Sequence, residues 1–167
     1  MLQPLVRRTW APRGQTPVLD QWQRHDRISV ISALTLAPRR RRLGLYWNLH
    51  EENICADDVV AFLRQLRRHI QRDLILVLDR WSVHRAAMVR RYLERHRHRI
   101  RVEWLPAYAP DLNPAEQVWN HAKYSDLANV APPDSRDLTR RIRRSLRHTR
   151  RDPALLRSFF KTAKLRL

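Results

Sequence analysis

Residues 105–119 read LPAYAPDLNPAEQVW, and residues 74–79, which precede them, read LILVLD. The five apolar residues that open the earlier stretch are typical of a strand buried on both faces, and Asp79 directly follows them. The asparagine, proline, alanine and glutamate at 113–116 have the order of a helix start, with asparagine as N-cap and proline in the first turn. The two stretches therefore place two carboxylates, Asp79 and Glu116, at the ends of rigid elements.

Strand-type and helix-type patterns alternate along the chain on both sides of Asp79. The predicted elements are strands over 27–36, 43–49, 74–78 and 100–105 and helices over 57–70 and 83–96. The first two strands flank a charged turn, so they predict an antiparallel hairpin. The later order of strand, helix and strand predicts a parallel β–α–β unit with a right-handed crossover, and the chain as a whole predicts an α/β fold.

The last part of the chain differs in composition from the rest. After the linker at 131–133, residues 134–167 contain 12 basic and 3 acidic side chains. Leu138, Ile142 and Leu146 recur every four residues, which predicts an amphipathic helix whose other faces carry arginine. We expect this segment to form a basic helical tail that packs on the core.

The charge of the chain favours nucleic acid as its partner. The formal net charge is +18, and 31 of the 34 basic residues are arginines, whose planar side chains can donate two hydrogen bonds to one phosphate. A GC-rich coding sequence would explain arginine over lysine but not the excess of positive charge. The candidate nucleic-acid-binding residues are Arg39, Arg40, Arg41 and Arg42 in the hairpin turn and Arg140, Arg141, Arg143, Arg144 and Arg147 in the tail.

Cysteine content and hydropathy restrict the cellular setting. Cys55 is the only cysteine, so an internal disulfide is impossible and a reducing cytoplasm is expected. No apolar stretch approaches the length of a membrane span.

Asp79 and Glu116 could each have a purely structural role as helix caps. Asp79 could cap a helix that starts near Ser82. Glu116 could complete a capping box by reaching back to the backbone of Asn113, three residues earlier. Helix chemistry alone does not decide between capping and catalysis.

The motifs resemble those of DDE transposases of the mariner-like superfamily, in its bacterial insertion-sequence branch. Asp79 and His84 match an aspartate-x₄-histidine pattern, and residues 105–116 match the Leu-Pro-x-Tyr-(Ser/Ala)-Pro-x-Leu-Asn-Pro-x-Glu segment. The turn at 10–14 is similar to the one that follows the first core strand in that family. The resemblance implies a ribonuclease-H-like mixed sheet with flanking helices.

The same resemblance implies the chemistry of the site. Asp79 and Glu116 would be the second and third acids of a catalytic triad, supported by His84 and Asn113. Tyr108 and Trp119 are expected to pack rather than to bind ligands. Two Mg²⁺ or Mn²⁺ ions would be held by the complete set of carboxylates, and DNA would be cut and joined.

The first acid of that triad lies on a central strand before the turn at 10–14, and we expect it to be missing. Asp20 and Asp26 lie among turn-type residues and are poor substitutes, and the segment 2–9 contains Pro4, which suits a central strand poorly. The prediction is a truncated catalytic core over 1–130 with a basic tail over 131–167. Alone it would be inactive, and the expected partner is a second copy in a homodimer or an upstream fragment that supplies the missing strand.

Two alternatives do not require chemistry. The chain could be a non-enzymatic, arginine-rich DNA-binding remnant, whose affinity would fall steeply with salt. An RNA-associated protein would fit the charge but would leave residues 105–116 unexplained.

Overall fold

The structure is a computed structural model that describes residues 6–15, 18, 27–39, 42–107 and 109–165. Its strands are β1 (Ser29–Leu36), β2 (Leu43–His50), β3 (Leu74–Leu78) and β4 (Ile100–Trp104). Its α-helices are α1 (Ala56–His69), α2 (Ala87–Arg95), α3 (Pro114–His121), α4 (Ser135–Arg151) and α5 (Pro153–Thr162). A 3-10 turn (Pro110–Leu112) precedes α3 and a π turn (Ala122–Asp126) follows it. In the described ranges no helix is long and apolar enough to cross a membrane.

Strands β1 and β2 form the predicted antiparallel hairpin. Their register pairs Ser29 with His50 and Leu36 with Leu43, and the Ala37 N–H donates to the Arg42 carbonyl at 2.9 Å to close the turn. Successive side chains of a strand point to opposite faces, and both faces of this hairpin carry apolar side chains.

The two faces of the hairpin contact two different cores. The first core joins one face to α3, α4 and α5, and its fully buried members include Leu45, Val118 and Ile142. The second core joins the other face, through Ile31, to α1, α2, β3 and β4. The hairpin therefore lies between two layers of helices.

Strands β3 and β4 pair in parallel, with Leu74 opposite Ile100 and Leu78 opposite Trp104, and α2 connects them. The predicted β–α–β unit is confirmed. Helix α2, however, begins at Ala87, four residues later than predicted. Residues 81–86 form successive tight turns, such as His84 N–H to the Trp81 carbonyl at 3.0 Å, and Ala86 has an extended ψ of 146°.

The prediction that β3 is buried on both faces is wrong. Leu78 is buried, but Ile75 is 71% exposed and Val77 is 56% exposed. Within the described residues, the strands form two separate sheets, β1–β2 and β3–β4, and no strand pairs with the second edge of β1 or of β3. Ile75 and Val77 are exposed because no described element covers their face of β3.

Helices α4 and α5 begin at aspartate N-caps. The Asp134 side chain accepts from the Asp137 N–H at 2.6 Å, and the Asp152 side chain accepts from the Leu155 N–H at 2.9 Å. Leu138, Ile142 and Leu146 are fully buried in the first core, so the amphipathic pattern of α4 is satisfied by the hairpin. A domain boundary near residue 130 stays a prediction.

Several predictions concern positions outside the described residues. These are Arg40 and Arg41 of the hairpin turn, Asp20, Asp26, Tyr108 and residues 2–5. Arg39 and Arg42, the described ends of the arginine run, are both exposed.

Candidate active site

A cleft of ≈ 2450 Å³ lies between the two sheets. Residues of β1 line one side of it and residues of β3 line the other, so the unpaired edges of the two strands face the same space. The four predicted site residues all line this cleft: Asp79, His84, Asn113 and Glu116. The structure thus brings together side chains from the end of β3, the following loop and the start of α3.

Asp79 is held in place by the loop that follows β3. Its Oδ1 accepts hydrogen bonds from the Trp81 N–H at 3.0 Å and from His84 Nδ1 at 2.8 Å. An ionised carboxylate can only accept, so His84 carries a proton on Nδ1 in this contact. These bonds keep residues 81–86 in turns rather than in a helix, and Asp79 does not act as the N-cap of α2.

The second oxygen of Asp79 is left available for a ligand. Both hydrogen bonds go to Oδ1, and within the described part of the chain no donor contacts Oδ2. The hydrogen bond from His84 lowers the pKa of Asp79, and the Trp81 N–H lowers it further. Asp79 is therefore ionised near neutral pH, and its side chain lines the cleft with one oxygen fixed by the protein.

The Glu116 side chain does not take the capping role that the sequence allowed. The Asn113 N–H donates to the Pro110 carbonyl at 2.9 Å, in the 3-10 turn, and so does not need the Glu116 side chain. The Asn113 side chain caps α3 by accepting from the Ala115 N–H at 3.1 Å. Asn113 thus orients the first turn of α3, and no hydrogen-bond donor contacts the Glu116 carboxylate in the described ranges.

The two carboxylates are electrostatically coupled. Burial raises the pKa of Glu116, and the negative charge of Asp79 raises it further. Asp79 thus lies near enough for its charge to oppose the ionisation of Glu116, and such pairs of acids are typical of sites that bind cations or transfer protons.

The pair fits part of a site for a hard divalent cation. Mg²⁺ and Mn²⁺ prefer carboxylate oxygens, which Asp79 and Glu116 supply on the end of a strand and the start of a helix. A divalent ion between them would offset the repulsion that raises the pKa of Glu116. In the ranges that the structure covers, no group of three or more histidine, cysteine, aspartate or glutamate side chains could hold a metal.

Sequence reasoning missed two contacts that shape the cleft. Trp81 packs edge-on against the His84 ring, with centroids 5.3 Å apart and planes at 83°. The Arg80 Nε–H donates to the Leu105 carbonyl at 3.1 Å, which ties the loop after β3 to the end of β4. Arg80 and Trp81 both occupy unspecified positions of the aspartate-x₄-histidine motif, so the motif does not single out either residue.

The described N-terminal residues lie beside the π turn that follows α3. The Arg7 N–H donates to Asn129 Oδ1 at 2.6 Å, and its guanidinium donates to the Tyr124 carbonyl at 2.7 Å. Residues 10–14 form the predicted bend, closed by the Gln15 N–H to the Pro12 carbonyl at 3.0 Å with Gly14 at φ +84°. Residues 6–9 form no strand.

The family of the chain follows from a sequence comparison. Residues 1–139 match the family model described as DDE superfamily endonuclease. The chain belongs to this family. Among curated protein sequences, none matches the chain.

Comparison with solved structures identifies the fold of this DDE superfamily member. The Mos1 mariner paired-end complex with Mn matches with a TM-score of 0.62 at 16% identity, over 98% of this chain and 48% of the other. The Mos1 strand transfer complex matches with a TM-score of 0.55 at 18% identity, over 98% and 50%. The Mos1 paired-end complex with left transposon end gives 0.55 at 17%, over 97% and 52%. The chain thus has the ribonuclease-H-like fold of these transposases and spans about half their length.

Proposed function

We propose that this DDE superfamily chain forms part of a transposase site for metal-dependent cleavage and transfer of DNA strands. The observation that carries the proposal is the meeting of Asp79 and Glu116 in one cleft, with neither carboxylate acting as a helix cap. Mg²⁺ or Mn²⁺ would be held by these two side chains together with at least one further acid. Bound there, the metal would activate the attacking oxygen and stabilise the leaving oxygen of a phosphodiester.

His84 acts on Asp79 rather than on the substrate. By donating to Oδ1 it fixes the carboxylate, so that Oδ2 faces the cleft in one orientation. Such supporting hydrogen bonds change metal affinity by about 10- to 100-fold in known sites. Asn113 has the corresponding role for Glu116, because its cap fixes the first turn of α3.

Among the described residues the site contains only these two carboxylates, and an additional strand would complete it. The free edges of β1 and β3 border the same cleft, and Ile75 and Val77 lie uncovered beside it. An apolar strand ending in an aspartate would pair with these edges and add a third carboxylate. A separate upstream fragment would supply that strand, and the polypeptide alone would be inactive in the cytoplasm.

A nicking assay tests the proposed inactivity. Purified protein is incubated with supercoiled plasmid and Mg²⁺ or Mn²⁺, and we expect no relaxation. If the plasmid is nicked and Asp79→Asn abolishes the nicking, the site is complete and the proposal of inactivity is wrong.

A chimera tests the proposed site directly. An eight-residue apolar strand ending in aspartate is fused before Val6, and a matched control ends in asparagine. We expect the aspartate fusion to bind Mn²⁺ at least about tenfold more tightly, since metal affinity depends on ligand number and geometry. Asp79→Asn and Glu116→Gln should each remove the gain. Equal Mn²⁺ binding by both fusions would contradict the proposed site.

The net charge of +18 favours a second candidate, a DNA-binding protein without chemistry. Such a protein would bind duplexes of any sequence, with an affinity that falls steeply as salt rises. The chimera separates the two functions. In a protein that only binds DNA, neither Asp79→Asn nor Glu116→Gln would change the Mn²⁺ affinity of either fusion.

A further inference from the structure

A second, smaller cleft lies along helix α4, away from Asp79 and Glu116. Its volume is ≈ 310 Å³, and its lining residues are Glu51, Arg136, Thr139, Arg140, Arg143 and Arg147. None of them lines the larger cleft between the sheets. We call this feature the α4 groove.

The arginines of the α4 groove form one row because of their spacing. Arg136, Arg140, Arg143 and Arg147 follow at steps of four, three and four residues, which places them on one side of a helix with 3.6 residues per turn. At about 1.5 Å per residue the row is about 16 Å long. The buried residues Leu138, Ile142 and Leu146 anchor the opposite side of α4 in the first core, so the row has a rigid base.

Most arginines of this row form no ion pair with the described residues of the protein. Arg141, outside the groove, pairs with the buried Asp137 at 2.5 Å, and Arg140 contacts the same carboxylate at 3.2 Å. In the described ranges, Arg136, Arg143 and Arg147 make no ion pair or hydrogen bond. Glu51 is the one acidic side chain in the lining, against four arginines. The positive charge of the groove is therefore mostly uncompensated within the described residues.

We propose that the α4 groove binds consecutive phosphates along one strand of DNA, a role that rests on the proposed function for its choice of partner. A duplex carries one phosphate per about 3.4 Å of axis on each strand, so a row about 16 Å long reaches several of them. Each guanidinium can donate two parallel hydrogen bonds to a phosphate, and the Thr139 hydroxyl adds a further donor. Arg141 does not take part, because its charge already serves the buried Asp137.

Glu51 limits the affinity of the α4 groove. Its carboxylate lies among the arginines and repels a phosphate that enters. Its removal leaves the row intact and raises the local positive charge by one. Glu51→Gln should therefore strengthen DNA binding, whereas loss of an acid remote from the groove should have little effect.

The experiment measures binding of a fluorescent 20-base-pair duplex by anisotropy, in EDTA, across a series of salt concentrations. The test variant is Arg136→Gln/Arg143→Gln/Arg147→Gln. The matched control, Arg68→Gln/Arg91→Gln/Arg95→Gln, removes the same charge from exposed positions on α1 and α2. Circular dichroism and thermal melting show whether each variant is folded. Glu51→Gln is measured beside Glu94→Gln, which removes an exposed acid on α2.

We expect the groove variant to lose about tenfold or more in affinity and to reduce the salt slope by about two to three, because each lost phosphate contact lowers it by about 0.9. The control should change affinity by less than about threefold, since remote charges act weakly through salt. Equal losses in both triple variants would show that net charge alone binds DNA and would overturn the proposal.

Two further arms identify the ligand and separate this proposal from the previous one. Inorganic phosphate at millimolar concentration should not displace the duplex; if it does, the groove is a single-anion site and not a track for a strand. Because binding is measured in EDTA, its outcome does not depend on whether Asp79 and Glu116 hold a metal. A failure of the metal site therefore leaves the groove measurement intact, and the converse also holds.

Discussion

At the scale of single residues, Asp79 presents two unlike oxygens, one bonded twice and one with no described donor. His84→Ala should raise the pKa of Asp79. Because the folded pKa is lowered, the stabilisation is fully present above the ordinary aspartate pKa and is lost as pH falls through the folded value. The variant should lose about 0.5–1 kcal/mol through this contact at neutral pH, discounted because the Asp79 side chain is 40% exposed, and its loss should shrink in acid.

Urea unfolding across the acid range measures this difference. His96→Ala is the matched control, because the His96 ring contacts the Tyr92 backbone carbonyl at 2.8 Å and not a carboxylate. Its loss of stability should not depend on pH in that range. A His84→Ala loss that stays constant down to acid pH would contradict the assigned contact.

Glu116 should show the opposite pH dependence. Its folded pKa is raised, so the stabilising contribution of its protonated form is fully present below the ordinary glutamate pKa and is lost as pH rises through the folded value. Glu116→Gln cannot ionise, so it should be about 0.5 kcal/mol more stable than the parent at neutral pH and equal to it in acid. Thermal melts at neutral and acid pH measure this difference, with the exposed variant Glu52→Gln as the control. A Glu116→Gln variant that is less stable than the parent at neutral pH would contradict the prediction.

The family resemblance implied that Asp79, His84, Asn113 and Glu116 belong to one site, and all four line one cleft in the structure. The choice between cap and site at Glu116 could not be made from the sequence, because the asparagine–proline–x–glutamate order serves both. The deciding contact is the Asn113 N–H to the Pro110 carbonyl, which depends on a 3-10 turn without a distinctive pattern.

At the scale of elements, β3 is apolar on two faces but buried on one. Ile75→Thr/Val77→Thr should cost less than about 0.5 kcal/mol, because exposed positions contribute little. Leu78→Ala, on the buried face of the same strand, should cost about 2–4 kcal/mol. Chemical denaturation compares the two, and an equally large loss from the double variant would show that a further element covers Ile75 and Val77.

The sequence predicted β1 to β4 and α1 to within about two residues, because their apolar periodicities are unbroken. It failed at the start of α2, where hydrogen bonds to Asp79 hold residues 81–86 in turns. It also failed for the burial of β3. An apolar run shows that a strand could be covered on both faces, but it does not show that other elements cover them. Contacts between distant elements decide burial, and a local pattern does not contain them.

At the scale of the whole molecule, the two carboxylates belong to different cores. Asp79 follows Leu78 of the second core, whereas Glu116 lies on α3 two residues before Val118 of the first core. The hairpin separates these cores and contributes side chains to both. No local sequence pattern indicates this division, because it arises from how α4 and α5 pack on one face of the hairpin.

This division has a consequence for cooperativity. Each core can act as a separate foldon, so amide protons of β3 and of α3 would exchange through distinct opening events with different free energies. A cation or a strand that bridges Asp79 and Glu116 stabilises only conformations in which both foldons are closed. Binding at the cleft would therefore merge two opening events into one, and the occupied protein would unfold as a single unit.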